Sequence, residues 1–284
     1  RICQQKLRRN KVRRMRLVAT EACRRAENGA EFMQRIQRET GLRLEIIKPE
    51  EEAQLAVISC APLVNRKTHN LLVVDIGGGS TELVWIDISK VPKADRAQSI
   101  MRLHGGFYQA KTDVPAARVV DWISVPLGVA TLRDQFSDVE DDAARFALMS
   151  WFFEENLTDF TPYQSTQSQD HFQIVGTSGT VTTVAASHLG LKRYDRTKVD
   201  GLRMSSTQID KVIHSYLAMG PAGRRADPRI GQDRQALIMS GAAILQALMR
   251  CWPTNRLSVA DRGLREGLLY AQMSADGVLE EGLS

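Results

Sequence analysis

VVDIGGGSTELVW, residues 73–85, joins an apolar strand to a second strand through three consecutive glycines. Asp75 closes the first strand, where a carboxylate is costly unless it is paired or binds a metal. Gly77, Gly78 and Gly79 let the backbone turn tightly and approach a ligand closely. Successive amides in such a turn form an anion-binding concavity, and Ser80 adds a hydroxyl. Glu82 follows the turn, so one carboxylate precedes it and one comes after. Two such acids suit Mg2+ shared with a phosphate. The competing reading is a hairpin turn capped by an aspartate, which needs only one or two glycines. The stretch is not a Walker loop, because no G-K-[ST] follows. It is not a dinucleotide fingerprint either, because a strand rather than a helix comes next.

Downstream, IVGTSGTVTTVA at 174–185 gives a second strand-to-glycine transition. Gly176 and Gly179 bracket Thr177 and Ser178, and Thr180 starts a predicted helix. Amides at a helix start together with hydroxyls make a phosphate cradle, and an ordinary helix cap fits the same residues. Upstream, PEEEA at 49–53 opens a helix with Pro49 and three acids. Those acids either complement the helix dipole or supply a general base. Short strands are expected at 14–20 and 42–48, with helices at 1–11 and 21–40. Residues 141–159, 240–252 and the segment from Gly263 onward are also expected to be helical, and 257–260 a last strand. Residues 88–122 look like an irregular excursion, and a further strand is expected through VVDWISVPLG, residues 119–128. Strands alternating with helices favour an α/β architecture.

The 284 residues suffice for two domains. No apolar run reaches the length of a membrane helix. Cys3, Cys23, Cys60 and Cys251 are dispersed, which argues against a zinc site or a disulfide scaffold and for a reducing, cytoplasmic setting. Of the net charge of +5, residues 1–25 contribute +9, so the remainder carries −4. That basic start suits a polyanion or a solvated helix face. Nucleic acid is not expected, since no recognition module accompanies it.

A-T-x-A-x-R-x-A-x-N-G, P-E-E-E-A, V-D-x-G-G-G-S-T-E, V-G-T-S-G-T and G-L-R-E-G occur here in one chain and in that order. In combination they resemble the Ppx/GppA phosphatases, within the superfamily of actin, sugar kinases and heat-shock chaperone ATPases. The resemblance runs from Val18 to Leu269. It implies two actin-like (ribonuclease H-like) domains with a cleft between them, divided here as 1–68 and 69–284. It also implies Glu52 as catalytic base, Asp75 and Glu82 as magnesium acids, and Gly77–Ser80 and Gly176–Thr180 as phosphate loops. Arg24 and Asn28, within ATEACRRAENG, match residues lining the substrate cleft. Arg234 and Arg265 match contacts to distal phosphates, with a structural ion pair as the alternative for each. Two departures accompany the match. The family pattern starts with a D-x-G-S-N-S phosphate loop that precedes the residues present here, so an incomplete first domain is expected. In SVPLGVAT, Thr131 stands where the pattern often has arginine.

The resemblance implies an exopolyphosphatase that uses Mg2+ to hydrolyse the terminal phosphoanhydride of inorganic polyphosphate. Phosphoryl transfer of this kind relies on positioning and charge stabilisation more than on a covalent nucleophile. Hydrolysis of guanosine pentaphosphate to tetraphosphate, or silent binding of the alarmone as a regulator, are the rival expectations. A sugar or acetate kinase is disfavoured, because no sugar-site pattern accompanies the loops. A homodimer is compatible with the sequence, and a membrane partner is not expected.

Overall fold

The computed structural model describes residues 1–107, 115–164 and 171–278. By compactness it divides into two units, Arg1–Glu52 and Ala53–Ser284.

The first unit contains α1 (Ile2–Arg9), β1 (Val18–Ala19), α2 (Glu21–Arg25), α3 (Gly29–Thr40), β2 (Glu45–Ile46) and the opening of α4 (Pro49–Cys60). β1 and β2 pair in parallel, Val18 with Glu45 and Ala19 with Ile46. The single helix expected over 21–40 is two helices. Ala26 turns extended at φ −67° and ψ 126°, and Gly29 packs against the Cys23 carbonyl, where any side chain would collide. Gly41 ends α3 in the left-handed region at φ 71°, the conformation glycine adopts without cost.

The second unit is built on a six-stranded mixed sheet. Its elements are β3 (Asn70–Ile76), β4 (Thr81–Asp87), α5 (Arg96–Met101), β5 (Arg118–Val125), α6 (Val129–Gln135), α7 (Asp142–Glu155) and β6 (Phe172–Thr177). They continue with α8 (Gly179–His188), α9 (Arg196–Val199), β7 (Arg203–Met204), α10 (Ser206–Ala226), α11 (Ile238–Cys251), β8 (Leu257–Ala260) and α12 (Leu264–Ala275). The sheet order is β5-β4-β3-β6-β8-β7. β3, β6 and β8 run parallel, and β4, β5 and β7 are antiparallel to their neighbours. The strand expected through 119–128 is β5; the excursion expected over 88–122 also contains α5, and its residues 108–114 lie outside the described residues.

Both sheet faces are buried, as strands this uniformly apolar require. On one face Leu72, Val74, Leu83, Trp85 and Ile174 pack with residues of α7, α8, α10 and α11, among them Phe153, Val184, Ile213 and Leu245. Trp85 stacks on Phe172 at a centroid distance of 5.1 Å. On the other face Leu71, Val73, Val84, Ile86 and Val175 pack with Ala53, Val57 and Cys60 of α4 and with Ile100 of α5. The rest of α4 therefore belongs with the sheet.

Candidate active site

The ladder aligns one row of residues across the strand ends. Asp75 lies opposite Glu82 on β4 and beside Thr177 on β6; Thr177 lies beside Ala260 on β8, and Glu82 opposite Ser124 on β5. Paired residues project to the same face, so the carboxylates expected to serve a metal are neighbours. Glu82 is only 2% exposed, and the Ser124 hydroxyl donates to its Oε1 at 2.8 Å. Asp75 is half-buried and lines a cavity of about 240 Å³ at the carboxyl ends of β3, β6 and β8. Ligand sites in open α/β sheets favour such strand ends.

The glycine turn rests on the start of α6. Val129 N donates to the Gly77 carbonyl at 3.0 Å, Ala130 N to the Gly78 carbonyl at 2.8 Å, and the Thr131 hydroxyl to the Gly79 carbonyl at 3.3 Å. In a trans peptide the carbonyl and the following amide point in opposite directions. The amides of Gly78, Gly79 and Ser80 therefore face away from α6, as a row of three donors. Gly128 makes this possible. A Cβ there would lie 2.5 Å from the Gly77 oxygen and the Gly78 carbonyl carbon. Thr131 also accepts from Gly128 N at 2.7 Å, closing a cap on α6. Thr131 thus braces the turn. Ser80 itself is buried.

The second loop closes β6 and starts α8. Ser178 takes a positive φ of 153°, and its hydroxyl accepts from Thr180 N at 3.1 Å and Val181 N at 3.2 Å. A non-glycine residue held there stores strain, a condition frequent at ligand sites. The Thr177 hydroxyl donates to the Arg262 carbonyl, and the Thr180 side chain sits against Gly241 of α11. These hydroxyls hold the loop, which leaves the amide of Gly179 for an anion. Thr177, Ser178 and Gly179 line the cavity, and Gly176 and Thr180 are buried behind them.

Among the described residues Arg234 makes no ion pair. Its Nη1 donates to the Gly179 carbonyl at 2.5 Å and to the hydroxyls of Thr183 and Thr182 at 2.6 and 3.2 Å. Arg265 is exposed, lines the same cavity and makes no ion pair among the described residues.

The facing wall of the cavity, which residues 77–80 do not line, is the β8–α12 loop, of which only Arg265 was singled out from sequence. Asp261 accepts from the Tyr194 hydroxyl at 2.7 Å and lies 3.5 Å from Arg196. Burial, then Asp261, raises the Tyr194 pKa above its ordinary value. Arg262 is paired with Asp200. The hydrogen bond from Arg262 holds the Asp200 carboxyl below the usual range, against the burial that would raise it. Glu266 accepts from Gly263 N at 2.9 Å, capping α12, and lies 3.5 Å from Arg196. Gly267, the last glycine of G-L-R-E-G, packs on the Leu55 carbonyl of α4, where a Cβ has no room. The signal for this wall was visible as an apolar strand running into Asp-Arg-Gly at 261–263.

In the first unit, Glu52 and Arg24 are joined. Arg24 Nη2 donates to Glu52 Oε2 at 2.8 Å, Nε to Glu21 at 3.0 Å and Nη1 to the Ile47 carbonyl at 2.8 Å. Burial opposes the Arg24 charge, and the hydrogen bonds to Glu52 and Glu21 more than offset it, raising its pKa. Asn28 is exposed at the start of α3, and its side chain caps nothing. Among the described residues, no group of three or more His, Cys, Asp or Glu is placed to hold a metal.

A sequence model of the Ppx/GppA phosphatase family matches residues 2–276. The chain belongs to that family. A Ppx/GppA member from Aquifex aeolicus shares its fold, with a TM-score of 0.72 and 28% identity over 97% of this chain and 79% of that one. The fold is thus the actin-like α/β fold of Ppx/GppA proteins. The guanosine-5'-triphosphate,3'-diphosphate pyrophosphatase of Aeromonas salmonicida is 26% identical over 90% of this chain but only 44% of its own length. Exopolyphosphatase 1 of Mycobacterium leprae is 23% identical over 91% of this chain and 68% of its own. This Ppx/GppA chain therefore spans less than half of the first relative and about two thirds of the second.

Proposed function

We propose that the chain supplies the phosphate-gripping part of a phosphohydrolase that removes the terminal phosphate of inorganic polyphosphate. The observation that carries this reading is the convergence of the β6–α8 and β8–α12 loops on one cavity at the end of β3, with Asp75, Gly179, Arg234 and Arg265 at its wall. The lining holds no cysteine or histidine, and the hydroxyls of Thr177 and Ser178 are committed within the loop. Water is the nucleophile that fits. Asp75, with Glu82 beside it in the ladder and held by the Ser124 hydroxyl, offers the hard oxygen donors Mg2+ takes when phosphate supplies the remaining ligands; bound there, it would neutralise phosphate charge. The amides and arginines orient the terminal group and stabilise charge on its oxygens. Glu52, fixed by Arg24 through Oε2 alone, is the proposed base. Arg24 and Asn28 are proposed substrate contacts, and 1–68 and 69–284 the proposed domains.

One observation favours the nucleotide reading. An adjoining cavity of about 320 Å³ shares Arg234 and adds Tyr194, Leu191, Ile230 and Gln232, which suits a nucleoside. Phosphate release from long-chain polyphosphate and from guanosine pentaphosphate, measured side by side, separates the two. We expect the larger kcat/KM on polyphosphate; the reverse order would reassign the substrate. Glu52→Gln should lower kcat by about 10²-fold or more, and full activity in that variant would remove Glu52 as the base. Tight guanosine tetraphosphate binding with no turnover of either substrate would make the protein a regulator.

A further inference from the structure

α6, α7, the end of α10 and the approach to α11 enclose another cavity, of about 350 Å³. It shares no lining residue with the strand-end cavity. Arg133, Arg145, Arg224 and Arg225 line it, against a single carboxylate, Asp142. The backbone builds this arrangement. Gly220, at φ 63° and ψ 178°, and Pro221 kink α10, and in the turn that follows Arg224 is buried and Arg225 exposed. Arg224 is 4% exposed. It grips both Asp142 oxygens at 2.7 and 2.8 Å and the Tyr216 carbonyl at 2.8 Å.

Arg145 reaches the same carboxylate at 3.3 Å, so one acid serves two guanidiniums. Arg133 pairs with its neighbour Asp134 at 2.6 Å in an exposed pair that solvent screens. The Arg225 side chain is exposed and has no partner among the described residues. Positive charge is left over, in a cavity that also carries the amides of Gln232 and Gln235. Guanidinium forks match phosphate oxygens in geometry and charge. No aromatic ring lines the cavity, so it offers no stacking platform for a base.

We propose that this cavity is a second phosphate-binding site, which takes a distal stretch of the same condensed phosphate whose end lies at the strand ends. The proposal rests on the polyphosphate reading above. The short turn Gln232–Arg234 is the ridge between the two sites. Gln232 borders the arginine cavity, Arg234 borders the strand-end cavity, and both border the cavity between them. A linear phosphate chain can cross that ridge and stay in contact with donors on either side.

The test uses inorganic tripolyphosphate, titrated calorimetrically into the whole chain in metal-free buffer. The wild type should show two classes of site. Arg133→Gln with Arg225→Gln should weaken one class by about tenfold or more, as loss of charge-assisted hydrogen bonds does. Arg265→Ala should weaken the other. Arg224 is left intact, so the fold is kept, and matching thermal melts check this. The double variant should also raise KM for long-chain polyphosphate. A single class of site in the wild type, abolished by Arg265→Ala, overturns the proposal, and so does a wild-type isotherm in the double variant. Binding is read without turnover. Two classes of site in a protein that releases no phosphate would sustain the second site and reject only the hydrolase reading.

Discussion

Gly128 shows how much a single missing side chain can decide. The three carbonyls of the glycine turn are received by the first turn of α6, and α6 comes this close only because residue 128 has no Cβ. Gly128→Ala should push the turn and the helix apart. Overpacking of this kind costs about 1–3 kcal/mol, read as a lower midpoint in denaturant. The same displacement turns the Gly78, Gly79 and Ser80 amides out of line, so phosphate affinity should fall as well. An unchanged midpoint and unchanged affinity would mean that α6 does not brace the turn. Gly77 to Gly79 stand out in the sequence because three glycines in a row are rare in a hairpin. Gly128 does not, because its neighbour in space is fifty residues away in the chain. Thr131 carried a signal that pointed elsewhere. It stands where the resemblance leads one to expect an arginine, and its hydroxyl caps α6 and holds Gly79.

At the scale of elements, α7 and α10 are tied by Asp142 and Arg224. The hydrogen bond from Arg224 holds the Asp142 carboxyl below the usual range, against the burial that would raise it, and Arg145 adds to the effect. A carboxylate with a depressed folded pKa stabilises the protein above its unfolded pKa, and that contribution disappears as pH falls through the folded value. The wild type should therefore lose stability progressively below about pH 4. Asp142→Asn should lack that part of the acid transition and be less stable at pH 7 by about 3 kcal/mol, because Arg224 stays buried without its partner. Parallel acid titrations of the two melting curves measure both effects. A variant as stable as wild type at neutral pH would show the pair to be dispensable. The two elements differ in how far they could be foreseen. α7 lies within the helix expected over 141–159. The course of α10 is less direct: Gly220-Pro221 is a stop signal by composition, the helix does break there, with Gly220 at φ 63° and ψ 178°, and beyond the kink the Arg224–Asp142 pair ties the chain to α7. The strands β3, β4, β6 and β8 were legible because each is an apolar run ending at a glycine or an acid. The two-residue strands β1, β2 and β7 are fixed by pairing more than by composition.

For the whole molecule, burial separates the two units more sharply than charge or composition does. Within residues 1–52, all of them described, only Gly29 and Ile47 are buried. The second unit has an apolar cluster on each face of its sheet. The protein with its strongest positive charge in the first fifty residues thus has its core elsewhere. Stability follows buried apolar area, and local opening follows local burial. Hydrogen exchange by mass spectrometry should therefore show amides of α3 exchanging well before those of β3, β4 and β6, under conditions where the whole protein remains folded. Thiol chemistry gives an independent reading of the same contrast. Burial pushes the Cys60 thiol up to about 12, and Cys3 is exposed. An alkylating reagent should label Cys3 within the dead time and Cys60 only as the sheet unfolds. Protection of α3 equal to that of β3, or early labelling of Cys60, would contradict a core confined to the sheet. The loops proposed to grip phosphate sit on the framework expected to exchange slowly, where β3, β6 and β8 end. Their geometry should persist under partial destabilisation that already releases Arg24 from Glu52.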